Sequence, residues 1–188
     1  MNVYYPKELD GEVARGEAEL IARICRRAAG LGPHAALEIG TLWGSTTNNI
    51  ASNFEGRILT VDLPKGNRPM LPHDPKEDKY FDQGKHFLPE FEGRIDQCWV
   101  DSAQLELPQT ITLSFAFIDG SHSEVYVMND FAKVEPSMVN GGYVLFHDYA
   151  SQCWPGVSTG IHKLIGIYPQ HVFTHIITST IVCCLINK

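Results

Sequence analysis

The chain has 188 residues, of which 44% are hydrophobic and 20% charged, with a formal net charge of −7. This length allows one sizeable core, so we predict a single domain over residues 1–188. The negative charge argues against nucleic-acid binding, which needs a basic patch that neutralises phosphates. We expect no membrane span, because no long uncharged apolar stretch occurs, and no secretory signal, because the first residues lack its order of basic and apolar residues. The expected location is therefore the cytoplasm.

The hydrophobic pattern predicts helices and strands in alternation. Helices are expected at 8–30, 45–54, 81–92, 123–138 and 157–167, with Ser45 or Thr46 capping the second. Strands are expected at 35–40, 57–63, 94–101, 113–120 and 141–148, followed by two β-rich runs around the sequence TST at 178–180. This order is typical of an α/β fold: a Rossmann-like, doubly wound, mostly parallel sheet of seven strands with a C-terminal antiparallel hairpin.

Residues 64–80 interrupt this alternation. The segment PKGNRPMLPHDPKEDKY contains four prolines and many charges and shows no periodicity. Long loops inside a domain are usually functional, so we predict that this one is the substrate loop.

Acidic residues lie at the ends of the first five predicted strands. They are Glu38, Asp62, Asp101, Asp119 and Asp148. In an open α/β sheet, ligands bind beyond the carboxyl ends of the strands. Asp is also common in ordinary turns, but five acids at one edge would accumulate negative charge unless a ligand or metal compensates it. We therefore expect a ligand-binding edge.

The loop after the first strand excludes two cofactor signatures. A dinucleotide fingerprint, GxGxxG, would need glycine at positions 40, 42 and 45, which hold Gly, Leu and Ser. A phosphate-binding P-loop would need a lysine, and residues 28–56 contain neither Lys nor Arg. The loop instead offers the hydroxyls of Thr41, Ser45, Thr46 and Thr47. These features favour a positively charged ligand with ribose hydroxyls and no phosphate, and S-adenosylmethionine meets that description.

Two longer motifs indicate a family. LEIGTLWGSTTNNIA begins at residue 37, and FIDGSHSEVYVMNDFAKVEPSMVNGGYVLFHDY occupies 117–149, followed by WPGV. With these motifs the chain resembles class I S-adenosylmethionine-dependent methyltransferases, and more narrowly methyltransferase family 24, which is related to macrocin-type O-methyltransferases. The resemblance covers about residues 12–165 and implies methylation of a small-molecule hydroxyl.

The resemblance also implies roles for individual residues. Glu38, Gly40 and Gly44 would surround the methionine part of the cofactor, and Thr41 and Ser45 of the same loop would also bind the cofactor. Asp62 would hold the ribose, and Asp101 and Ser102 would lie near the adenine. Asp119 would face the active centre and would also bind the cofactor. Asp119 and Asp148 are also candidate ligands for Mg²⁺, although Tyr149 stands where related metal-dependent enzymes have Asn.

Two histidines are candidates for the base that O-methylation requires. An imidazole ordinarily titrates near neutral pH, so His122 and His147 form the predicted catalytic set with Asp119. Neighbouring residues of a strand face opposite sides, so at most one of His147 and Asp148 should point into a given pocket unless the strand has already ended.

Two alternatives stay open at the level of sequence. One is a nicotinamide-dependent Rossmann oxidoreductase, which would also use an acid such as Asp62 for the ribose. The other is a non-catalytic protein with a methyltransferase fold that binds only the cofactor. The expected partner is a small-molecule acceptor. A homo-oligomer is also possible, because the chain has little room for a separate substrate domain.

Overall fold

The computed structural model describes residues 1–5, 13–64 and 84–188. Almost all of the predicted substrate loop at 64–80 lies outside these ranges. So do most of the residues before 13 that the sequence assigned to the first helix.

The described residues form a sheet of seven strands with the order β3-β2-β1-β4-β5-β7-β6. The strands are β1 (Ala35–Ile39), β2 (Ile58–Asp62), β3 (Ile95–Trp99), β4 (Leu113–Ile118), β5 (Met138–Phe146), β6 (Val172–His175) and β7 (Val182–Leu185). The pairs among β1 to β5 are parallel, whereas β7 is antiparallel to both β5 and β6. The predicted fold class, with its C-terminal antiparallel hairpin, is therefore confirmed.

Four α-helices connect or flank the strands in the described ranges. They are α1 (Arg15–Ala29), α2 (Ser45–Asn53), α3 (Glu124–Val134) and α4 (Pro155–Ile167). Helix α3 ends before its predicted limit because Pro136, which has no backbone N–H, lies in a following 3-10 turn at Glu135–Ser137. None of the described helices combines the length and hydropathy that a bilayer crossing needs.

Two details of the helix prediction were wrong. Residues 84–91 contain no α-helix, and only a 3-10 turn at Glu92–Arg94 follows. The backbone N–H groups of Gly84 and His86 donate instead to the carbonyls of Leu42 and Trp43, at 2.8 and 3.1 Å. The cap of α2 is Gly44, with φ of 91°, and neither Ser45 nor Thr46.

The core has two parts, one on each face of the sheet. Side chains of β4 alternate between them: Phe115 and Phe117 pack with α1 and α2, and Ala116 and Ile118 pack with α3 and α4. With both faces covered, the loops after the parallel strands are left at one edge of the sheet, where the predicted site residues lie.

Candidate active site

The loops after β1 and β4 touch each other. The backbone N–H of Asp119 donates to the carbonyl of Ile39 at 2.8 Å. Gly40 has φ of 103°, and a Cβ built on it would lie 2.1 Å from the carbonyl oxygen of Asp119. Only glycine therefore allows this approach.

Asp62 ties the loop after β1 to the end of β2. One carboxylate oxygen accepts from the N–H of Leu42 at 3.0 Å, and the other accepts from the N–H of Leu63 at 2.8 Å. Leu42 itself has φ of 45°, in the left-handed region. The loop thus keeps a glycine-like turn at a position where the sequence has Leu, and Asp62 helps to hold it.

Glu38 lies beneath this loop. It is fully buried, and one carboxylate oxygen accepts from the hydroxyls of Thr47 and Thr60, each at 2.5 Å. Thr60 also contacts the hydroxyl of Thr41 at 2.7 Å. This arrangement gives Glu38 a role in shaping the loop, and its predicted cofactor contact stays a prediction. Ser45 is 3% exposed, and its hydroxyl has no hydrogen-bond partner within the described residues.

The segment at 86–88, which the sequence analysis assigned to a helix, packs beside the loop. The side chain of Asn48 donates to the carbonyl of His86 at 2.6 Å and accepts from the N–H of Leu88 at 3.0 Å. The ring of Phe87 occupies the space next to Gly44, where a Cβ would lie 2.6 Å from it. Gly44 is therefore required by packing as well as by its positive φ.

Asp101 begins the turn after β3. One carboxylate oxygen accepts from the N–H of Ala103 at 2.9 Å, and the other accepts from the hydroxyl of Tyr126 at 3.0 Å. Ser102 is 8% exposed. Asp101 thus has the role of an ordinary turn cap, and it stands at the sheet edge where the sequence predicts the adenine.

The loops after β4 and β5 and helix α1 bring together a cluster that we call the acid–imidazole cluster: Glu17, Asp119, His122, His147 and Asp148. His122 Nε2 lies 3.0 Å from Asp148 Oδ2 and 3.7 Å from Asp119 Oδ1. His147 Nδ1 lies 3.1 Å from Asp119 Oδ1 and 3.6 Å from Asp148 Oδ2. Its other nitrogen, Nε2, lies 3.2 Å from Glu17 Oε2. All three residues of the predicted catalytic set are therefore in direct contact.

Both His147 and Asp148 reach the cluster because the strand ends before them. Strand β5 ends at Phe146, and Asp148 has φ of 60°. The alternation of side chains along a strand therefore no longer applies at these two residues. Both can face the same pocket, as expected for a strand that has already ended.

Sequence reasoning missed Glu17. Its second oxygen, Oε1, accepts from the N–H and the hydroxyl of Thr180, at 2.7 and 2.8 Å. The available signal was a charged residue on the face of α1 that also carries the buried residues Ala18 and Ile21. A charge on an apolar helix face is rarely buried without a partner.

The cluster shifts the pKa values of its members. Burial opposes the ionised form of Glu17, but hydrogen bonds from His147 and Thr180 outweigh it and lower the pKa to about 2. Burial likewise opposes ionisation of Asp119, yet the charges and hydrogen bonds of the two histidines lower its pKa to about 2. Burial disfavours the charged histidines, but the carboxylates raise the pKa of His122 to about 9 and that of His147 to about 11.

These contacts give the two histidines different protonation behaviour. His147 has a carboxylate at each ring nitrogen, so it is held as an imidazolium that donates from both. His122 meets carboxylates through Nε2, and its ring stacks on Trp154 with centroids 4.2 Å apart and planes inclined by 22°. His122 is therefore the better candidate for a group that gains and loses a proton.

The cluster also offers ligands for a cation. One ligand atom from each of Asp119, His122 and Asp148 lies within 4.8 Å of the others. The predicted Mg²⁺ ligands Asp119 and Asp148 are thus close together, with a nitrogen beside them. Because Mg²⁺ favours oxygen ligands, this set suits Mn²⁺ or Zn²⁺ at least as well.

A family match covers most of this edge of the sheet. Residues 37–149 match the family model described as a methyltransferase domain, methyltransferase family 24. The chain belongs to methyltransferase family 24. The family-24 segment contains β1 to β5, with Asp119, His122, His147 and Asp148, whereas Glu17 and Thr180 lie outside it.

Solved structures share the fold at low sequence identity. The O-methyltransferase TomG of Streptomyces achromogenes, involved in tomaymycin synthesis and solved with S-adenosylmethionine, is 15% identical with a TM-score of 0.68; the match covers 95% of this chain and 83% of TomG. An O-methyltransferase of Bacillus cereus, solved with S-adenosylhomocysteine, is 15% identical with a TM-score of 0.67 and coverages of 95% and 84%. A TDP-rhamnose 3'-O-methyltransferase of calicheamicin biosynthesis is 15% identical with a TM-score of 0.64 and coverages of 92% and 81%. No curated protein sequence is significantly similar to this chain.

Proposed function

We propose that this family-24 protein transfers a methyl group from S-adenosylmethionine to a hydroxyl oxygen of a small molecule. The observation that carries the proposal is the double contact of Asp119. Its backbone touches Gly40 of the predicted methionine loop, and its side chain touches both histidines of the acid–imidazole cluster. Cofactor loop and acid–base groups therefore lie next to each other.

The residues at the strand ends fit this cofactor. The loop at 40–45 has no basic residue near it in the sequence. Within the described residues, the buried hydroxyl of Ser45 has no hydrogen-bond partner, so it could bind the cofactor. Asp62, at the end of β2, would accept from the ribose hydroxyls, because a carboxylate can accept more bonds than the two from Leu42 and Leu63. Asp101 and Ser102 would lie beside the adenine.

S-adenosylmethionine supplies a methyl group on a sulfonium: the S–CH₃ bond breaks as the O–CH₃ bond forms, and the acceptor hydroxyl gives its proton to a base. We assign the base to His122. Because the pKa of His122 is raised to about 9, only its neutral form accepts the proton: that form donates Nε2–H to Asp148 and presents Nδ1 to the acceptor, so turnover should rise with pH up to about 9. His147, held by Asp119 and Glu17, instead balances the negative charge of the cluster.

A divalent cation is a second part of the proposal. Asp119, His122 and Asp148 would hold it. When bound, it would lower the pKa of a coordinated acceptor hydroxyl. In that case His122 would be a ligand, and a further base would be needed.

The acceptor is proposed by analogy with the similar folds. One of those proteins is named for the 3'-hydroxyl of TDP-rhamnose and another takes part in tomaymycin synthesis. A cytoplasmic location agrees with the five cysteines, all of which are free thiols. A homo-oligomer would be consistent with a pocket completed by a second chain.

The test begins with calorimetric titration of the purified protein with S-adenosylhomocysteine, with NAD⁺ as the parallel control. We expect micromolar binding of the first and none of the second, and Asp62→Ala should abolish the heat. Absence of S-adenosylhomocysteine binding with or without Mg²⁺ or Mn²⁺ would overturn the proposal.

Turnover separates an enzyme from a non-catalytic cofactor-binding protein. A panel of sugar and aromatic hydroxyl compounds with methyl-labelled S-adenosylmethionine should yield a methylated product. His122→Ala should lower kcat by about a hundredfold or more while leaving S-adenosylhomocysteine affinity within a few fold. Activity lost with EDTA and restored by Mn²⁺ would establish the metal-dependent form.

A further inference from the structure

The polar face of α3 holds the turn after β3, residues 101–105. Three side chains of α3 reach it at successive points. The hydroxyl of Tyr126 donates to Asp101 at 3.0 Å, the amide of Asn129 donates to the carbonyl of Ser102 at 3.4 Å, and Lys133 donates to the carbonyl of Leu105 at 2.8 Å. Their spacing places them on one side of the helix, facing the turn.

Asp130 lies on the same face and is the most deeply buried of these groups. It is fully buried, and its Oδ1 accepts from the amide of Asn129 at 3.1 Å. Its Oδ2 is buried too and has no hydrogen-bond partner within the described residues. A buried carboxylate with an unpaired oxygen is costly, so its presence calls for a role.

Burial and a neighbouring charge make ionisation of Asp130 unfavourable. Burial raises the pKa of Asp130 to about 6, although hydrogen bonds from Ser102 and Asn129 act in the opposite direction. The charged groups that face it are Asp101, which raises the pKa further, and Lys133, which lowers it. Asp130 therefore lies near the charges of Asp101, which begins the turn, and of Lys133, the α3 residue that donates to the end of the turn at Leu105.

We propose that Asp130 is a positioning residue for the adenine end of the cofactor, acting through the amide of Asn129, which also donates to the carbonyl of Ser102 in the turn that carries Asp101. The proposal rests on the proposed function, because only a bound adenosine gives the turn a ligand. Asp101 is fixed on one side by its cap contact with Ala103 and on the other by Tyr126. Asp130 orients the amide of Asn129 that holds the next residue of the turn, Ser102, so loss of Asp130 would move the carboxylate of Asp101 relative to the adenine.

The consequence is a specific loss of base recognition. A correctly placed carboxylate accepts from the 6-amino group of adenine and rejects hypoxanthine, which has a carbonyl oxygen at that position. The discrimination between S-adenosylhomocysteine and S-inosylhomocysteine, taken as the ratio of their Kd values, therefore reports the position of Asp101. A loss of general stability leaves that ratio unchanged.

The experiment measures both Kd values by calorimetry for the wild type and three variants. Asp130→Ala removes the contact with Asn129, and Asp130→Asn keeps an oxygen that can accept from the Asn129 amide. The matched control is Glu135→Gln, directly after the C-terminus of α3, where the carboxylate contacts His171 at 3.3 Å. Melting curves of all four proteins confirm that each is folded at the titration temperature.

We expect Asp130→Ala to lower the discrimination ratio about fivefold or more, the effect of misplacing one charge-assisted hydrogen bond. Asp130→Asn should keep the ratio within about twofold of the wild type, as should Glu135→Gln. A ratio unchanged in Asp130→Ala, or a wild type that binds both ligands equally, overturns the positioning role and leaves the proposed function intact. A wild type that binds neither ligand overturns the proposed function itself.

Discussion

Replacing Glu17 by Gln removes one charge from the acid–imidazole cluster and keeps the size of the side chain. Glu17 is 8% exposed and contacts His147 and Thr180. The variant leaves His147 with one carboxylate fewer, and breaking a buried pair by removing one partner is strongly destabilising. We therefore expect a large loss of folding free energy.

The pKa of Glu17 gives the magnitude. It falls from 4.5 to about 2 on folding, a change of about 2.5 units, or about 3 kcal/mol at 1.36 kcal/mol per unit. Because the folded pKa is depressed, this stabilisation is present above pH 4.5 and is lost as pH falls towards 2. Linkage predicts that about 1 kcal/mol of it is gone at pH 4 and about 2 kcal/mol at pH 3.

Urea unfolding at pH 7 and at pH 4 tests this reasoning. Glu17→Gln should lose about 3 kcal/mol at pH 7 and about 2 kcal/mol at pH 4. The matched control is Glu19→Gln on the same helix, whose exposed i,i+4 pair with Arg15 is worth at most about 0.5 kcal/mol. A loss at pH 7 no larger than that of Glu19→Gln would refute the argument.

Three further variants test other contacts. Asp130→Asn should stabilise the protein by up to about 3 kcal/mol at pH 8, because the pKa of Asp130 rises from 3.8 to about 6 on folding and the penalty for ionising it develops between these two pH values. In urea unfolding at pH 4 the gain should fall below about 1 kcal/mol, and a gain of the full size there contradicts the assignment. Gly40→Ala should cost about 2 kcal/mol or more, because its Cβ meets the backbone of Asp119, and should abolish S-adenosylhomocysteine binding; a wild-type Kd would show that the loop adjusts. Arg94→Met should cost about 2 kcal/mol, because Arg94 donates to carbonyls at the end of α2. Arg57→Met, which removes an exposed ion pair, should cost less than Arg94→Met when both are measured by urea unfolding, and equal losses would argue against the Arg94 contacts.

The sheet was predictable because each strand is a short apolar run that ends in a turn or an acid. The parallel strands then bring Asp62, Asp119 and Asp148 to one edge without any knowledge of side-chain contacts. The short helix predicted at 81–92 was wrong over residues 84–91. Its backbone donors are taken by the carbonyls of Leu42 and Trp43, which are distant in sequence.

The site was predictable only where residues follow a strand. Asp119, His122 and His147 come from the family motif, and they meet as expected. Glu17 comes from a helix whose apolar pattern gives no indication of what its one buried acid faces. The different states of the two histidines also depend on distances to carboxylates on three separate segments, which a sequence does not contain.

The contact between Glu17 and Thr180 spans 163 positions of the chain. Contacts of such separation form late, because the intervening chain must first be ordered. The charge balance at His147 is thus completed only when the first helix and the C-terminal hairpin have both docked on the sheet. During synthesis, a chain whose residue 180 has not yet left the ribosome already contains the whole family-24 segment, but it lacks Thr180, which orients Glu17.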